Sequence, residues 1–344
     1  MTEEEHAAMI EGIISSQPEL KQRQSNSHSQ LLSLLRSMDC KDLIARLSLT
    51  QGIIDPNTPE TQSTNSPAYA EYVALQVIGY EIEFLETDDY AEQSRKAVTV
   101  VEIVKEMFDV QHQLFWVIGV REQQEGNHDP SRLRQRSHAE SLRVRGSSYF
   151  QHKEHILHGC FDMFDLRCSQ QIGFTISDAL EIVKSLSGLM GSRLNYEVQR
   201  SKIEVQETLR QLKIARRKRR PNEVIGEDLL RMSPNQAKMR IQYLGAEWVL
   251  AHSRSIAFFS VSDIVEASKL PPKVCKSFID AFTFDKSEFI EDHHKLPTDA
   301  HPLSERPIVQ IGELFIMPAP SAILDALRGR IEDLISETEF AEEL

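Results

Sequence analysis

Apolar residues recur along this chain at three- and four-residue spacing far more often than at every second position, and that pattern predicts helices almost throughout. Residues 2–16 read as a short acidic helix with Ala7, Met9, Ile10, Ile13 and Ile14 on its packing side, followed over 16–29 by a polar connector rich in Gln, Ser and Asn. Leu31, Leu32, Leu34, Leu35, Leu43, Ile44 and Leu47 then give one or two helices over 30–54, broken near Asp39 or Lys41. Pro56 and Pro59 open a linker that extends to Asn65. A helix from Ser66 or Pro67 to about Glu86 is apolar nearly all round, as a helix central to a core must be, and its expected partner is 91–120, with Val100, Val104, Met107, Phe108, Leu114 and Ile118 on one stripe. The polar run 121–136, with Gly126 and Pro130, closes a first helical lobe over 1–125.

A middle region follows over 133–220. Residues 138–168 read as helix broken near 145–148. Gly173 stops it, and Thr175 or Ser177 caps the next helix, which buries Leu180, Ile182, Val183, Leu186, Leu189 and Met190. Its tail over 197–220 has few apolar positions and no sustained heptad, so it reads as an exposed or coiled arm, with interruptions, toward Arg220. The last region, 228–340, opens at Ser233-Pro234 with a helix placing Met239, Ile241, Leu244, Trp248 and Leu250 inward. Ser262 then caps a short helix that turns in Ile264 and Val265, Pro271-Pro272 makes a turn, and a second helix buries Val274, Phe278 and Phe282 at four-residue spacing. Two strands flank Gly312-Glu313, where a leading glycine suits a type II′ turn, and a final helix over 321–337 turns in Ile323, Leu324, Leu327, Ile331, Leu334 and Ile335. The expectation is a mainly α, multi-lobed helical protein with a C-terminal winged-helix-like segment containing one β-hairpin. A plain helical hairpin and β-hairpin within a helical protein fits the same residues.

Composition sharpens this. The 344 residues exceed one comfortable core, and only 14 are Gly, about 4% against an average near 7%, which disfavours turn-rich β architecture. Cys40, Cys160, Cys168 and Cys275 form no C-x-x-C pair and read as buried cytosolic thiols. The acidic start, Thr2-Glu3-Glu4-Glu5, is unlike a basic export signal. The apolar run 98–120 is interrupted by Glu102, Lys105, Glu106 and Asp109, so no membrane span is expected and a cytoplasmic location is. The net charge of −13 is uneven: residues 1–130 hold 9 basic and 22 acidic side chains, 131–220 hold 18 and 9, and 221–344 hold 12 and 21.

The chemistry on offer is sparse. Phosphate-loop, dinucleotide, nucleophile-elbow and zincin signatures are all absent. His152, His155 and His158, with Cys160, Asp162 and Asp165, are ligand types without a distant partner pair, so neither a metal nor any other cofactor is expected. Glu291-Asp292-His293-His294-Lys295 reads as a solvated connector. The strongest candidates are basic. Lys213, Arg216, Arg217, Lys218, Arg219 and Arg220 form one run, Arg132, Arg134, Arg136, Arg143 and Arg145 a second, and either could meet phosphates or simply face solvent. The second helix of the helix-turn-helix carries only Lys273 and Lys276, with Asp280 close by and no Arg, Asn or Gln to read bases.

Phe150-Gln151-His152 with Phe161-Asp162-Met163-Phe164, then Gly173-Phe174-Thr175 with Asp178-Ala179-Leu180, resembles a middle segment of large, poorly characterised bacterial helical proteins. Pro302-Leu303 through Arg306-Pro307-Ile308-Val309, then Gly312, Leu314 and Pro318, resembles the segment that follows a helix-turn-helix in them. Members often carry a nuclease-like or other effector domain after that point. The resemblance implies a bacterial cytosolic protein from a mobile-element or phage-defence setting whose effector is another polypeptide, and it offers no catalytic residues to carry over. The expected function is a non-enzymatic scaffold or sensor that contacts a protein effector or partner subunit, or nucleic acid through its basic middle, with room for a homo-oligomer. The alternatives are a winged-helix nucleic-acid-binding regulator and, more distantly, a metal-dependent hydrolase at His152 and His155.

Overall fold

The structure, a computed structural model, describes residues 11–12, 14–50, 67–86, 89–125, 150–222, 224–297 and 302–336. The helix expected over 2–16, the linker over 55–65, the boundary over 121–136 and the basic run from Arg132 to Arg145 fall mostly or wholly outside these residues. What is described is mainly helical with one small antiparallel sheet.

The segment expected as a polar connector over 16–29 is instead the body of the first long helix, α1 (Gln17–Leu35). Its buried residues are Leu20, Gln24, Ser27, Leu31 and Leu35, a helical stripe in which two positions are polar. The stripe runs antiparallel along α4 (Tyr90–Glu125), where Gln24 hydrogen-bonds Gln111, Arg23 pairs with Glu106 at 3.2 Å and Arg121 donates to Gln17 at 3.1 Å. Partners on another element let Gln24 sit in the interface, because a buried amide costs little once its hydrogen bonds are made.

Between α1 and α4 lie α2 (Cys40–Thr50) and α3 (Pro67–Gly79), both buried along nearly their whole length. The break at Asp39 falls where expected. Helix α3 ends earlier than the apolar pattern implies: Glu81 takes a left-handed conformation (φ +50°), and the Ile82 N–H returns to the Val77 carbonyl at 3.0 Å. Closure of this kind normally uses glycine, so the stop was not readable from Glu81.

Helices α5 (Phe150–Phe161) and α6 (Asp165–Gln171) lead to Gly173, whose φ of +83° ends the run. A substituent there would also meet Ser277 Oγ at 2.5 Å, so glycine serves both the turn and the approach. Thr175 and Asp178 then form a reciprocal capping box at 3.0 and 2.9 Å, starting α7 (Ile176–Lys218). This helix has 43 residues and no break, about 65 Å at 1.5 Å per residue. After α8 (Glu227–Arg231), a second capping box of Ser233 with Gln236 and a proline in the first turn start α9 (Pro234–Ala251).

The short α10 (Ser253–Ala257) leads into α11 (Val261–Ser268), the turn at Lys269 and α12 (Pro272–Phe282). The cap of α11 is Ser260 with Asp263, where Ser262 had been expected, so the helix starts two residues earlier. Strands β1 (Val309–Ile311) and β2 (Leu314–Ile316) pair with Ile311 opposite Leu314, and Gly312 has a φ of +66°. Phe259 adds a one-residue bridge to Phe315 on the outer side of β2. The short α13 (Glu291–His294) replaces the expected solvated connector: His294 is buried, and Tyr72 and Gln76 of α3 donate to the carbonyls of Lys295 and His294 at 2.6 and 2.8 Å.

Helix α14 (Ile323–Ser336) completes the body. One apolar cluster runs without a break from Leu31 of α1 through α2, α3, α4, the first part of α7, α11, α12 and the hairpin to Ile331 of α14. Residues from all three expected segments share it. Among the described residues no helix is long and apolar enough to cross a membrane.

Candidate functional site

On α7 the main core reaches Leu194, and on α9 it begins at Val249. Between those points the two helices leave the body together. They enclose a separate small core of Leu212, Ala215, Ile225, Ala237 and Ile241, with Val205, Leu209, Leu229, Leu230 and Met232 packed on it. Residues 196–251 therefore make a helical arm rooted in the body. The expected inward set on α9 is corrected here. Ile241 is buried with Ala237 and Gly245, whereas Met239, Leu244 and Trp248 are 69%, 45% and 38% exposed. Met239 and Ile241 lie about 200° apart on a helical wheel, so only one could face α7.

The arm's root is held at two points. Ser201 of α7 donates to the Gly245 carbonyl at 2.6 Å, and the space above Gly245 is filled by Val205. A methyl group on Gly245 would meet Val205 Cγ2 at 2.4 Å, so Gly245→Ala is expected to cost about 1–3 kcal/mol through overpacking. Adding Val205→Ala should recover part of that loss, as read by urea denaturation of both proteins. The second point is polar. Glu247 accepts from Ser94 of α4 at 2.7 Å and bonds the Tyr243 hydroxyl, whose pKa is raised chiefly by that contact. Arg46 of α2 donates to Ser94 at 2.5 Å and to Asp42 at 2.5 Å, and Ser253 of α10 donates to Asp42 at 3.0 Å. Arg254 pairs with the buried Asp39, which also caps the Asp42 N–H. This chain, buried at Asp39, Asp42, Arg46 and Ser253 and half-buried at Ser94 and Glu247, ties α2, α4 and α9–α10 together.

At the far end, Arg216 is structural: its guanidinium donates to the carbonyls of Leu229 and Met232 at 3.2 and 2.7 Å, closing the end of α8. Lys213, Arg217, Lys218, Arg219 and Arg220 are exposed, and among the described residues none of the five makes an ion pair or side-chain hydrogen bond. Nearby cations differ, since Arg210 is held by Glu207 at 2.7 Å and Arg231 by Glu227 at 2.6 Å. The Arg210 contact holds the Glu207 carboxyl down at about 2. Part of the tip charge complements the negative C-terminal end of α7, and Arg219, at φ +51°, terminates that helix. The arm over 196–251 carries twelve basic and seven acidic residues, a net of +5, which leaves −18 on the rest of the chain.

Lys273 and Lys276 are exposed on α12 but stand apart from that tip. Helix α11 meets α7 at Arg193, which donates to Asp263 at 2.8 Å and to the Phe258 carbonyl at 2.6 Å. From Arg193 to Lys213 along α7 is 20 residues, about 30 Å. Lys273, Lys276 and Asp280 form the outward arc of α12, and Ser277 at its edge lies under the Gly173 turn.

His155 and His158 are on the outside of α5, and His158 bonds Asp162 at 2.8 Å; the His152 side chain lies outside the described set. Among the described residues no three His, Cys, Asp or Glu side chains come together in a way that could hold a metal ion. Sequence reasoning missed Tyr196, Arg200, Arg240, Tyr243 and Trp248, which share the arm's surface. The available signal was the run of two basic and then two aromatic residues, Lys238, Arg240, Tyr243 and Trp248. Comparison with protein-family models, with curated proteins and with solved structures finds no match to the chain.

Proposed function

We propose that this chain is a non-enzymatic helical scaffold or sensor that engages nucleic acid through the tip of its arm and works with a separate effector. The observation that carries the reading is the cluster of five exposed cations, Lys213, Arg217, Lys218, Arg219 and Arg220, unpaired among the described residues, on a +5 arm of an otherwise acidic protein. Phosphate contacts by Lys and Arg supply most non-specific nucleic-acid affinity, and the surrounding negative charge confines such contact to the arm. The effector is supported by the sequence resemblance to bacterial helical proteins that carry one.

The test is anisotropy of labelled DNA and RNA in a salt series, comparing wild type with a variant in which the five tip cations are Ala. Wild type is expected to bind with a steep negative slope of log affinity on log salt. The variant should be flatter by about 0.7 to 0.9 for each phosphate contact removed. Equal slopes would remove the arm from the interface, and absence of binding at low salt would overturn the reading.

A second reading has specific support. The order helix, one-residue strand, helix, turn, helix, hairpin, with Phe259 beside Phe315, supports reading this segment as winged-helix-like. We read this segment as a packing or protein-contact module rather than a base reader. Only Lys273 and Lys276 are basic on the outward arc of α12, Asp280 follows one turn beyond them, and the Gly173 turn covers one edge.

A further inference from the structure

The arm carries more than charge. Arg200 lies between two aromatic rings, its guanidinium carbon 5.7 Å from the centroid of Tyr196 and 5.6 Å from that of Trp248. Trp248 in turn lies against His252 at 4.8 Å with the rings tilted by 35°. One turn toward the tip, Arg240 sits 5.7 Å from the Tyr243 ring. These rings are not core residues: Tyr196, Tyr243 and Trp248 are 63%, 55% and 38% exposed. The small core of the arm is complete without them.

Trp248 has both Arg200 and His252 packed against its ring and keeps 38% of its surface exposed beside them, and Tyr243, 55% exposed, stands beside Arg240. Aromatic faces interleaved with Arg are the elements of a stacking platform for unpaired bases, because every base has a π-face and the neighbouring cations track the phosphates. A duplex hides its base faces, so it could use the tip cations but not these rings. The crossing at Ser201 and Gly245 lies 17 residues, about 26 Å, from Lys218 along α7, so one short strand reaches from the rings to the tip. Charge complementarity points the same way: the +5 arm attracts a polyanion, and the −18 remainder repels a stiff duplex laid across the body.

We propose that the Tyr196–Arg200–Trp248 and Arg240–Tyr243 surface stacks the bases of single-stranded nucleic acid, whose phosphates continue to Arg217, Lys218, Arg219 and Arg220. This rests on the reading of the arm as a phosphate-binding surface and adds the class of ligand: single strands, DNA or RNA.

The experiment uses the full chain with four probes, oligo-dT, oligo-rU, a duplex of the same length, and inorganic polyphosphate, which has charge but no bases. Two variants, Trp248→Leu with Tyr243→Leu and Trp248→Ala with Tyr243→Ala, are first checked for an unchanged urea midpoint. A Trp116→Phe protein isolates the Trp248 fluorescence, since the chain has 2 Trp. The expected results are preference of wild type for single strands over duplex and quenching of Trp248 by oligo-dT or oligo-rU. Both double variants should weaken single-strand binding at least tenfold, within the roughly 5- to 150-fold range for losing one stacked base, with polyphosphate affinity unchanged. The relative affinities of oligo-dT and oligo-rU identify which strand is preferred. Single-strand binding that survives ring removal, or a duplex preference, overturns this inference while polyphosphate binding keeps the phosphate reading intact. Failure of wild type to bind any of the four overturns both and leaves the surface to a protein partner.

Discussion

Arg46→Leu is expected to destabilise the protein by about 3–5 kcal/mol, the range for removing one partner of a buried ion pair. Arg46 is 5% exposed and Asp42 equally so, and the pair stands at the junction of α2, α4 and α10. Most of the loss comes from the Asp42 carboxylate left behind. Burial already raises its pKa, and Arg46, with the Ser253 hydrogen bond, opposes that rise. Without Arg46 the native pKa climbs further above the unfolded value, so the native state binds the proton more readily than the unfolded chain does. Stability of the variant should therefore fall as pH rises from the unfolded carboxylate range, about 3.9, through the raised native value. The deficit against wild type should be smallest at acidic pH and largest at neutral pH. Asp42→Asn in the same background removes the charge, keeps an acceptor for Ser253 and should recover more than half of the loss. Urea denaturation across pH for the three proteins reads all of this, and a loss below 1 kcal/mol at pH 7 would show that the chain from Asp42 to Glu247 does not anchor the arm.

Phe278→Ala is the second large effect, expected to cost about 3–5 kcal/mol through lost burial and the cavity left behind. Phe278 is fully buried on α12, 5.6 Å from Phe174 edge-on and 4.8 Å from Phe282. Through Phe174 it fastens α12 to the segment that starts α7, so the variant should loosen both the α11–α12 pair and the base of the arm. Phe278→Leu, which refills most of the space, should cost distinctly less. If both substitutions were near neutral in denaturant, α12 would be an appended module rather than part of the common core.

Local signals were read correctly where one or two residues decide the geometry. Thr175, Ser233 with Pro234, Pro272 and the Gly312-Glu313 turn all fall where capping and turn chemistry place them. Apart from the cap of α11, which Ser260 makes in place of Ser262, the failures are positions that local chemistry does not announce. Gln24 and Ser27 look like loop residues until Gln111 and α4 lie alongside them. Glu81 carries no sign of the left-handed turn it makes, and His294 no sign that α3 covers it. On α9 the apolar residues occupy both faces, so periodicity alone did not separate buried Ile241 from exposed Met239, Leu244 and Trp248. The site was half legible. The basic run is visible as a string of letters, yet the diversion of Arg216 to backbone carbonyls depends on α8 folding back. The pairing of Arg200 with Tyr196 and Trp248 depends on the crossing at Gly245.

The central claim is that nucleic acid meets this protein on the arm, and photocrosslinking tests it most directly. Wild-type protein would be crosslinked at low salt to photoreactive oligonucleotides and the modified peptides mapped by mass spectrometry. Crosslinks are expected within 196–251, concentrated at Trp248, Tyr243 and the tip from Lys213 to Arg220. Crosslinks confined to α12 and the hairpin, with the arm unmodified, would contradict the account and make the α11–α12 segment the nucleic-acid reader.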